Sequence, residues 1–133
     1  MYIKSVKEYF NEQLVIDITK NTIPAPNFGE LYGQDVEPKG VYVLKGKFLA
    51  DDYINGKAHL NNPLFIKVTD DTLIEYKREL AKKYNATGQR LTSKLMKLGY
   101  DSIVTVFEDG EYGEIVLFPN AKFLFPNAKF LFG

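Results

Sequence analysis

The stretches Gly99-Tyr100-Asp101-Ser102-Ile103-Val104 and Glu114-Ile115-Val116-Leu117-Phe118 decide the fold of this chain. Both contain β-branched and aromatic residues, which favour strands. Glu108-Asp109-Gly110 lies between them and is a strong turn signal, because glycine tolerates the positive φ that tight hairpin turns require. The pattern therefore predicts a β-hairpin with strands over residues 102–107 and 111–118.

Glu114 opens a strand that is otherwise apolar. Because alternate side chains of a strand share a face, Glu114 should point the same way as Val116 and Phe118. An unpaired buried carboxylate costs on the order of several kcal/mol. Glu114 is therefore either a residue of a functional cleft or a strand-edge carboxylate paired with a lysine. Glu111, three residues earlier, should face solvent.

The composition predicts one compact domain with a substantial core, because 45% of the 133 residues are hydrophobic and 14% are aromatic. Seventeen basic and seventeen acidic residues cancel, which argues against strong nonspecific binding to nucleic acid. The chain has no cysteine and only one histidine, His59, so it offers no thiolate nucleophile and no cysteine or histidine metal cluster. We expect no metal site.

The sequence predicts no membrane association. No segment approaches the ~20 apolar residues that cross a bilayer, and the first ten residues lack the apolar core of a signal peptide. The absence of cysteine fits a reducing compartment. We therefore expect a cytoplasmic protein.

Upstream of the hairpin, short apolar runs predict strands over residues 14–18, 41–44 and 64–68. The second of these should continue to residues 48–49 through an interruption or bulge at Gly46. Each run is bounded by glycine, proline or polar residues, which is typical of strand ends.

The remaining N-terminal segments predict one helix and two loops. Ser5 and Glu8 have capping-box spacing, which predicts a short helix that ends near Gln13. A long irregular passage should follow the first strand, up to about residue 39. Residues 51–62 are polar and rich in turn-forming residues, so we expect a loop that contains His59.

Two amphipathic helices should lie between the third strand and the hairpin. The apolar residues of each helix share one face: Leu73, Tyr76, Leu80 and Tyr84 in the first, and Leu91, Leu95 and Leu98 in the second. Asp70 or Asp71 can cap the first helix. Gly99 stands just beyond the second, where glycine commonly ends a helix.

The C-terminus contains a tandem duplication. Residues 117–123, Leu-Phe-Pro-Asn-Ala-Lys-Phe, recur unchanged as residues 124–130. An odd period would swap the face of each side chain in a continued strand, so the two copies should not pair equivalently in one sheet. We assign residues 1–123 to the domain. Residues 124–133 are then a tail, an edge extension or a duplication remnant, and their apolar side chains favour self-association.

The C-terminal part of the chain resembles the ADP-ribosyltransferase-like fold, especially its short phage-associated and poly(ADP-ribose) polymerase-like members. These proteins often have a helix that ends in Gly-Tyr-Asp-Gly before an Ile/Val-rich strand, which residues 98–104 match. They then have a glutamate before several apolar residues, which residues 113–118 match. The entry Asn62-Pro63-Leu64 is also similar, and the resemblance covers about residues 60–123.

The resemblance implies an α+β domain of split antiparallel β-sheets with flanking helices, and NAD held in the cleft between the sheets. Glu114 would be the catalytic residue, which binds a ribose hydroxyl and stabilises the positive charge that develops as the bond to nicotinamide breaks. Tyr42, in Gly40-Val41-Tyr42-Val43, is similar to the aromatic residue that stacks on the nicotinamide ring. From the residues alone, Tyr42 is also a candidate for an ordinary core or cross-strand aromatic.

The first strand departs from the family pattern. Active members place a histidine or an arginine there, whereas this chain has Asp17 and Thr19 at the corresponding place. Asp17 could bond a ribose hydroxyl, but it cannot replace a cationic contact to phosphate. We therefore expect Tyr42, Asp17 and Thr19 as cofactor-binding candidates beside Glu114.

Two functions follow from the resemblance. The chain is either a small mono-ADP-ribosyltransferase that modifies a protein or nucleic-acid target, as a phage or bacterial effector, or a catalytically inactive relative. The inactive relative would bind a protein partner as an inhibitor or structural factor through its cleft or its apolar C-terminus. We expect a protein partner or acceptor, because the inactive relative needs a protein partner and the transferase can take a protein as its target.

Overall fold

The computed structural model describes residues 2–3, 13–23, 26, 29 and 33–126. The helix predicted over residues 5–13 lies outside the described residues except for its last position. The strands are β1 (Tyr2–Ile3), β2 (Leu14–Asn21), β3 (Val41–Lys45), β4 (Tyr53–Leu60), β5 (Pro63–Lys67), β6 (Ser102–Val106), β7 (Tyr112–Leu117) and β8 (Lys122–Leu124). The helices are α1 (Glu75–Tyr84) and α2 (Gly88–Lys97). Neither described helix is long and apolar enough to cross a membrane.

The described residues form a mixed α+β fold with one curled sheet, in the order β1-β5-β6-β7-β3-β2-β4-β8. The predicted α+β class is confirmed. The predicted separation into antiparallel sheets differs from the structure in two respects. Two residue pairs between β2 and β3 join the halves of the sheet, and β5 pairs with β6 in parallel. The parallel pair follows from the connection, because α1 and α2 together form the crossover from β5 to β6.

The first hydrophobic core, core 1, lies between the helices and one face of the sheet. As predicted, Leu73, Tyr76, Leu80 and Tyr84 of the first helical segment all contact it. In α2, Leu91 and Leu95 are fully buried, but the prediction for Leu98 is wrong, since that side chain is 57% exposed. Leu98 follows the last helical turn, and Gly99 beyond it has φ +98°, as expected for a residue that ends a helix.

The second core, core 2, lies on the opposite face, where the sheet curls over itself. It draws on six strands and consists of Ile16, Ile18, Val43, Ala58, Leu60, Phe65, Val104, Ile115 and Leu117. Both faces of β6 and β7 are therefore buried, which explains why these strands read as continuous apolar runs. The predicted hairpin of β6 and β7 is confirmed.

Three local predictions are wrong. Residues 53–60, expected to be a loop, form β4, and residues 48–49 lie outside any strand because β3 ends before Gly46, which has φ +116°. Neither Asp70 nor Asp71 caps α1, which begins after Ile74 without a side-chain cap. Instead, the hydroxyls of Thr69 and Thr72 each accept a hydrogen bond from the other residue's backbone N–H: Thr69 N–H donates at 2.7 Å and Thr72 N–H at 3.3 Å.

The first repeat copy connects two distant strands of the sheet. Leu117 ends β7, and residues 118–121 form a turn in which the Ala121 N–H donates to the Phe118 carbonyl at 2.9 Å. The chain then pairs with β4 as β8, which extends one residue into the second copy, to Leu124. The described residues of the second copy are 124–126.

Candidate functional site

Glu114 lies at a β-bulge of the β6–β7 hairpin. The register shifts between Val104 and Val106, where β7 has one residue more than β6, so Gly113 and Glu114 together stand opposite Thr105. A Cβ at Gly113 would come within 2.7 Å of the Thr105 hydroxyl, which donates a 2.8 Å hydrogen bond to the Glu114 carbonyl. Glycine at position 113 therefore permits the bulge, and a bulge re-aims the side chain that it carries.

The Glu114 side chain points to the helix side of the sheet, the side on which Val116 and Phe118 enter core 1. The Tyr76 hydroxyl donates a 2.5 Å hydrogen bond to Glu114 Oε1, and Lys77 Nζ lies 3.4 Å from the same oxygen. The side chain of Glu114 is 32% exposed, and no described residue forms a hydrogen bond or ion pair with its Oε2. Tyr76 and Lys77 thus hold one carboxylate oxygen, and the described residues leave the other without a polar contact.

Lys77 is a buried cation shared by two carboxylates. Its side chain is 8% exposed, and its Nζ lies 2.8 Å from Glu37 Oε2 as well as 3.4 Å from Glu114 Oε1. The ammonium also lies 5.0 Å from the centroid of the Tyr42 ring, within the range of a cation–π contact. One positive and two negative charges leave the cluster of Glu37, Lys77 and Glu114 with a net charge of −1.

Tyr76 and Tyr42, which contact this cluster, are neutral hydrogen-bond donors. Burial raises the pKa of Tyr76 well above its usual 10.0, and the Glu114 carboxylate raises it further. Burial also raises the pKa of Tyr42, and the charges of Glu37 and Glu114 add to the effect. The Tyr42 hydroxyl donates to the Pro38 carbonyl at 2.6 Å, so both rings are fixed by their hydroxyl groups.

Glu114 and Tyr42 open onto one cavity of about 310 Å³. Its lining comes from four strands and consists of Thr19, Lys20, Asn21, Tyr42, Val43, Leu44, Tyr53 and Glu114. The register explains the convergence. Thr19 pairs with Leu44, and Val43 pairs with Ile115, so Leu44 lies between Thr19 and Glu114 in a row across three strands. The structure therefore brings together three of the four predicted site residues.

The fourth predicted site residue, Asp17, lies apart from this cavity. It lines a different cavity, beside Gly56 and Leu124, and its carboxylate is 3.7 Å from Lys57 Nζ. The Thr19 side chain is buried, and its hydroxyl donates to the Ile54 carbonyl at 3.1 Å. Thr19 therefore contributes to the wall of the cavity with a hydroxyl that is already engaged.

Two further polar residues, His59 and Asp101, make contacts within the fold. His59 lies in β4 and not in a loop, and its Nδ1 is 3.3 Å from the Gln13 side-chain oxygen. The buried Asp101 carboxylate accepts hydrogen bonds from the N–H groups of Asn61 and Asn62 and from the Ser102 hydroxyl. Asp101 thus caps the entry to its strand.

Sequence reasoning missed Glu37, Lys77 and Lys20 and treated Tyr76 as a core residue alone. The available signal was Lys77 itself, because it follows Tyr76 directly on the apolar side of α1, where a lysine needs a carboxylate partner. Lys20 had no signal, since it adjoins the cavity only through the pairing of β2 with β3.

Within the described part of the chain, no three histidine, cysteine, aspartate or glutamate side chains are arranged to hold a metal ion. Comparison with protein-family models, with curated proteins and with solved structures finds no match for this chain. Its function is therefore inferred from the cavity and from the charges around it.

Proposed function

We propose that this chain is a small ADP-ribosyltransferase-like protein that binds NAD in the cavity beside Glu114 and transfers ADP-ribose to a protein or nucleic-acid target. One observation carries the proposal. Glu114, Tyr42 and Thr19 belong to separate sequence motifs, and the three residues line the same cavity.

The charge of the site supports this chemistry. Glu37, Lys77 and Glu114 together carry a net charge of −1, and the partly exposed Glu114 is the member that lines the cavity. Cleavage of the glycosidic bond to nicotinamide creates positive charge on the ribose, and a fixed carboxylate stabilises such charge without reorganisation. Tyr76 and Lys77 hold Oε1, so Oε2 would accept the hydrogen bond from a ribose hydroxyl.

The residues fit one half of the dinucleotide better than the other. A volume of about 310 Å³ lies at the low end of ligand pockets, so the cavity would hold the nicotinamide and its ribose, with the remainder of NAD along the surface. The family's cationic first-strand residue is replaced here by Thr19, and the neighbouring Lys20, the lysine among the residues that line the cavity, would be the cation nearest to a phosphate. Tyr42 would contact the nicotinamide ring.

A second candidate function is protein binding by a catalytically inactive relative. The observation that favours it is a set of exposed apolar residues near the cavity: Leu44, which lines it, Phe48, whose ring contacts the lining residue Tyr53, and Leu49, the next residue, with exposed fractions of 44%, 40% and 95%. Apolar groups of this kind, next to polar residues, are typical of protein-binding surfaces. In this case the cluster of Glu37, Lys77 and Glu114 would only stabilise the fold, and the protein would not cleave NAD.

The deciding experiment incubates labelled NAD with the wild type, with Glu114→Gln and with Glu111→Gln, and measures both nicotinamide release and labelled product. We expect activity in the wild type and in Glu111→Gln and its loss in Glu114→Gln. Glu111 is a matched control, because it lies three residues from Glu114 but is exposed and outside the cavity lining.

Thermal unfolding with and without NAD separates the two candidates. A protein that binds NAD in its folded state unfolds at a higher temperature when NAD is present, and the shift grows with the NAD concentration. If NAD neither stabilises the wild type nor is consumed, the transferase proposal fails. If Glu114→Gln releases nicotinamide as fast as the wild type, the assigned role of Glu114 fails.

A further inference from the structure

The four residues that follow each Pro-Asn-Ala in the C-terminal duplication are identical: Lys122-Phe123-Leu124-Phe125 and Lys129-Phe130-Leu131-Phe132. The first set forms β8 and its continuation. Its binding surface, which we call the β4 edge, consists of residues 56–59 of β4. The sequence thus contains two copies of the segment that the β4 edge binds.

The β4 edge recognises this segment by three features. Lys122, Phe123 and Leu124 pair antiparallel with His59, Ala58 and Lys57. Phe123 and Phe125 pack against core 2 and against each other, with ring centroids 6.1 Å apart. Gly56 provides the third feature, because any Cβ there would overlap the Leu124 carbonyl oxygen and come within 2.8 Å of the Phe125 ring.

All three features depend on residues that the second copy also supplies in the same order. Backbone pairing is independent of side chains, the two apolar positions are phenylalanine in both copies, and the residue that crosses Gly56 is leucine in both. We infer that residues 129–132 of the same chain are a second occupant of the β4 edge and exchange there with residues 122–125.

The length of the connection sets the balance between the two registers. The segment between Leu117 and the paired lysine has four residues in the observed register and eleven in the alternative one. Loop-closure entropy depends on the three-halves power of loop length, which favours the observed register roughly fivefold. The turn contact from Ala121 to Phe118 and the 3.2 Å hydrogen bond from Asn120 to the Tyr100 carbonyl add to this preference. About one molecule in six is therefore an upper bound for the alternative register.

Disulfide trapping tests the inference directly, because the chain has no cysteine of its own. His59 stands opposite Lys122, so His59→Cys combined with Lys122→Cys reports the observed register. His59→Cys with Lys129→Cys reports the alternative register. His59→Cys with Ala128→Cys is the matched control, because residue 128 adjoins residue 129 in sequence but would not stand opposite His59 in the alternative register. In a glutathione buffer we expect the Lys129 pair to form a disulfide within one chain at least about fivefold less readily than the Lys122 pair, but at least tenfold more readily than the control.

Stability gives a second, independent measurement. Phe123→Asp should lower the folding equilibrium constant by at least about fivefold but by much less than the double variant does, because the second copy then occupies the β4 edge. Phe130→Asp alone should leave it within twofold of the wild type. The double variant should lose on the order of a hundredfold, since neither copy can then bury its aromatic residue.

Three results would overturn the inference. The first is a Lys129 pair that forms no faster than the Ala128 control. The second is a disulfide in the Lys129 variant that links two molecules on a non-reducing gel, which would assign the second copy to a neighbouring chain. The third is a Phe123→Asp variant as unstable as the double variant, which would leave the β4 edge with one occupant. None of these measurements involves NAD, so they stand or fall apart from the proposed function.

Discussion

Replacement of Lys77 by methionine is expected to destabilise the fold by about 2–3 kcal/mol. The substitution removes the charge but keeps a side chain of similar length, so the stem can still pack over Gly33, where an added Cβ would lie 3.4 Å from the Lys77 Cδ. Glu37 and Glu114 would then face each other across a site without its cation.

The magnitude follows from burial. Removal of one partner from a fully buried ion pair costs about 3–5 kcal/mol, because the remaining charge is left without compensation. Here the lysine side chain is 8% exposed, whereas Glu37 and Glu114 are 27% and 32% exposed, so water replaces part of the lost interaction. The loss of the contact with the Tyr42 ring adds about 0.5–1 kcal/mol, and relief from burying the ammonium offsets part of the total.

Urea unfolding followed by far-ultraviolet circular dichroism measures this change. Arg78→Met is the matched control, since Arg78 is the next residue of α1 and pairs with Asp35 at 3.0 Å, with both side chains about one-third exposed. An exposed pair of this kind contributes about 0–1 kcal/mol. Glu37→Gln combined with Lys77→Met should recover about 1–2 kcal/mol of the loss, because one of the two repelling carboxylates is then neutral.

A Lys77→Met variant that loses no more stability than Arg78→Met would refute this reasoning. Additive effects of Glu37→Gln and Lys77→Met would refute it too, because independent effects would mean that the 2.8 Å contact carries no coupling energy. Either result would mean that the three charges do not act together. The net charge of −1 would then no longer support the proposed stabilisation of positive charge in the cavity.

Tyr42 and Tyr76 predict a loss of stability in alkali: their pKa values are raised in the folded state, so the unfolded chain releases these protons first. Stability should be intact below pH 10 and fall above it by about 1.4 kcal/mol per pH unit for each tyrosine. Urea unfolding between pH 9 and 11 checks this, and a Tyr76→Phe variant with the wild-type slope would contradict it. Gly56→Ala should displace β8, because its Cβ would overlap the Leu124 carbonyl, and should cost about 1–3 kcal/mol. Wild-type stability of Gly56→Ala would show that β8 adjusts freely.

The parts of the fold that sequence predicted correctly are those with local causes. The β6–β7 hairpin has its turn signal and apolar runs within one short stretch, and the apolar face of α1 repeats every three to four residues. β4 was missed because Asn55, Gly56 and Lys57 interrupt its middle with residues that disfavour strands. Its eight residue pairs with β2 stabilise it instead, and such pairing depends on chain segments distant in sequence.

The candidate site divides in the same way. Glu114 stood out because a charge on an apolar strand is visible in the sequence, and Tyr42 was selected by resemblance. Lys77 lies 40 residues from Glu37 and 37 from Glu114, so no local pattern could join the three charges. Asp17 was placed beside the wrong cavity, since strand alternation gives the face of a residue but not which neighbouring elements cover it.

The short pairing between β2 and β3 has a consequence for any ligand of the cavity. Two residue pairs join these strands, whereas eight join β2 to β4, so few ladder bonds hold the sheet together beside Thr19. A molecule bound to both Thr19 and Glu114 would span this junction and act as a cross-link between the two halves of the sheet. Binding of the ligand would then make unfolding of the two halves more cooperative. The strands β2, β4 and β8 could no longer unfold before β6 and β7 without releasing the ligand.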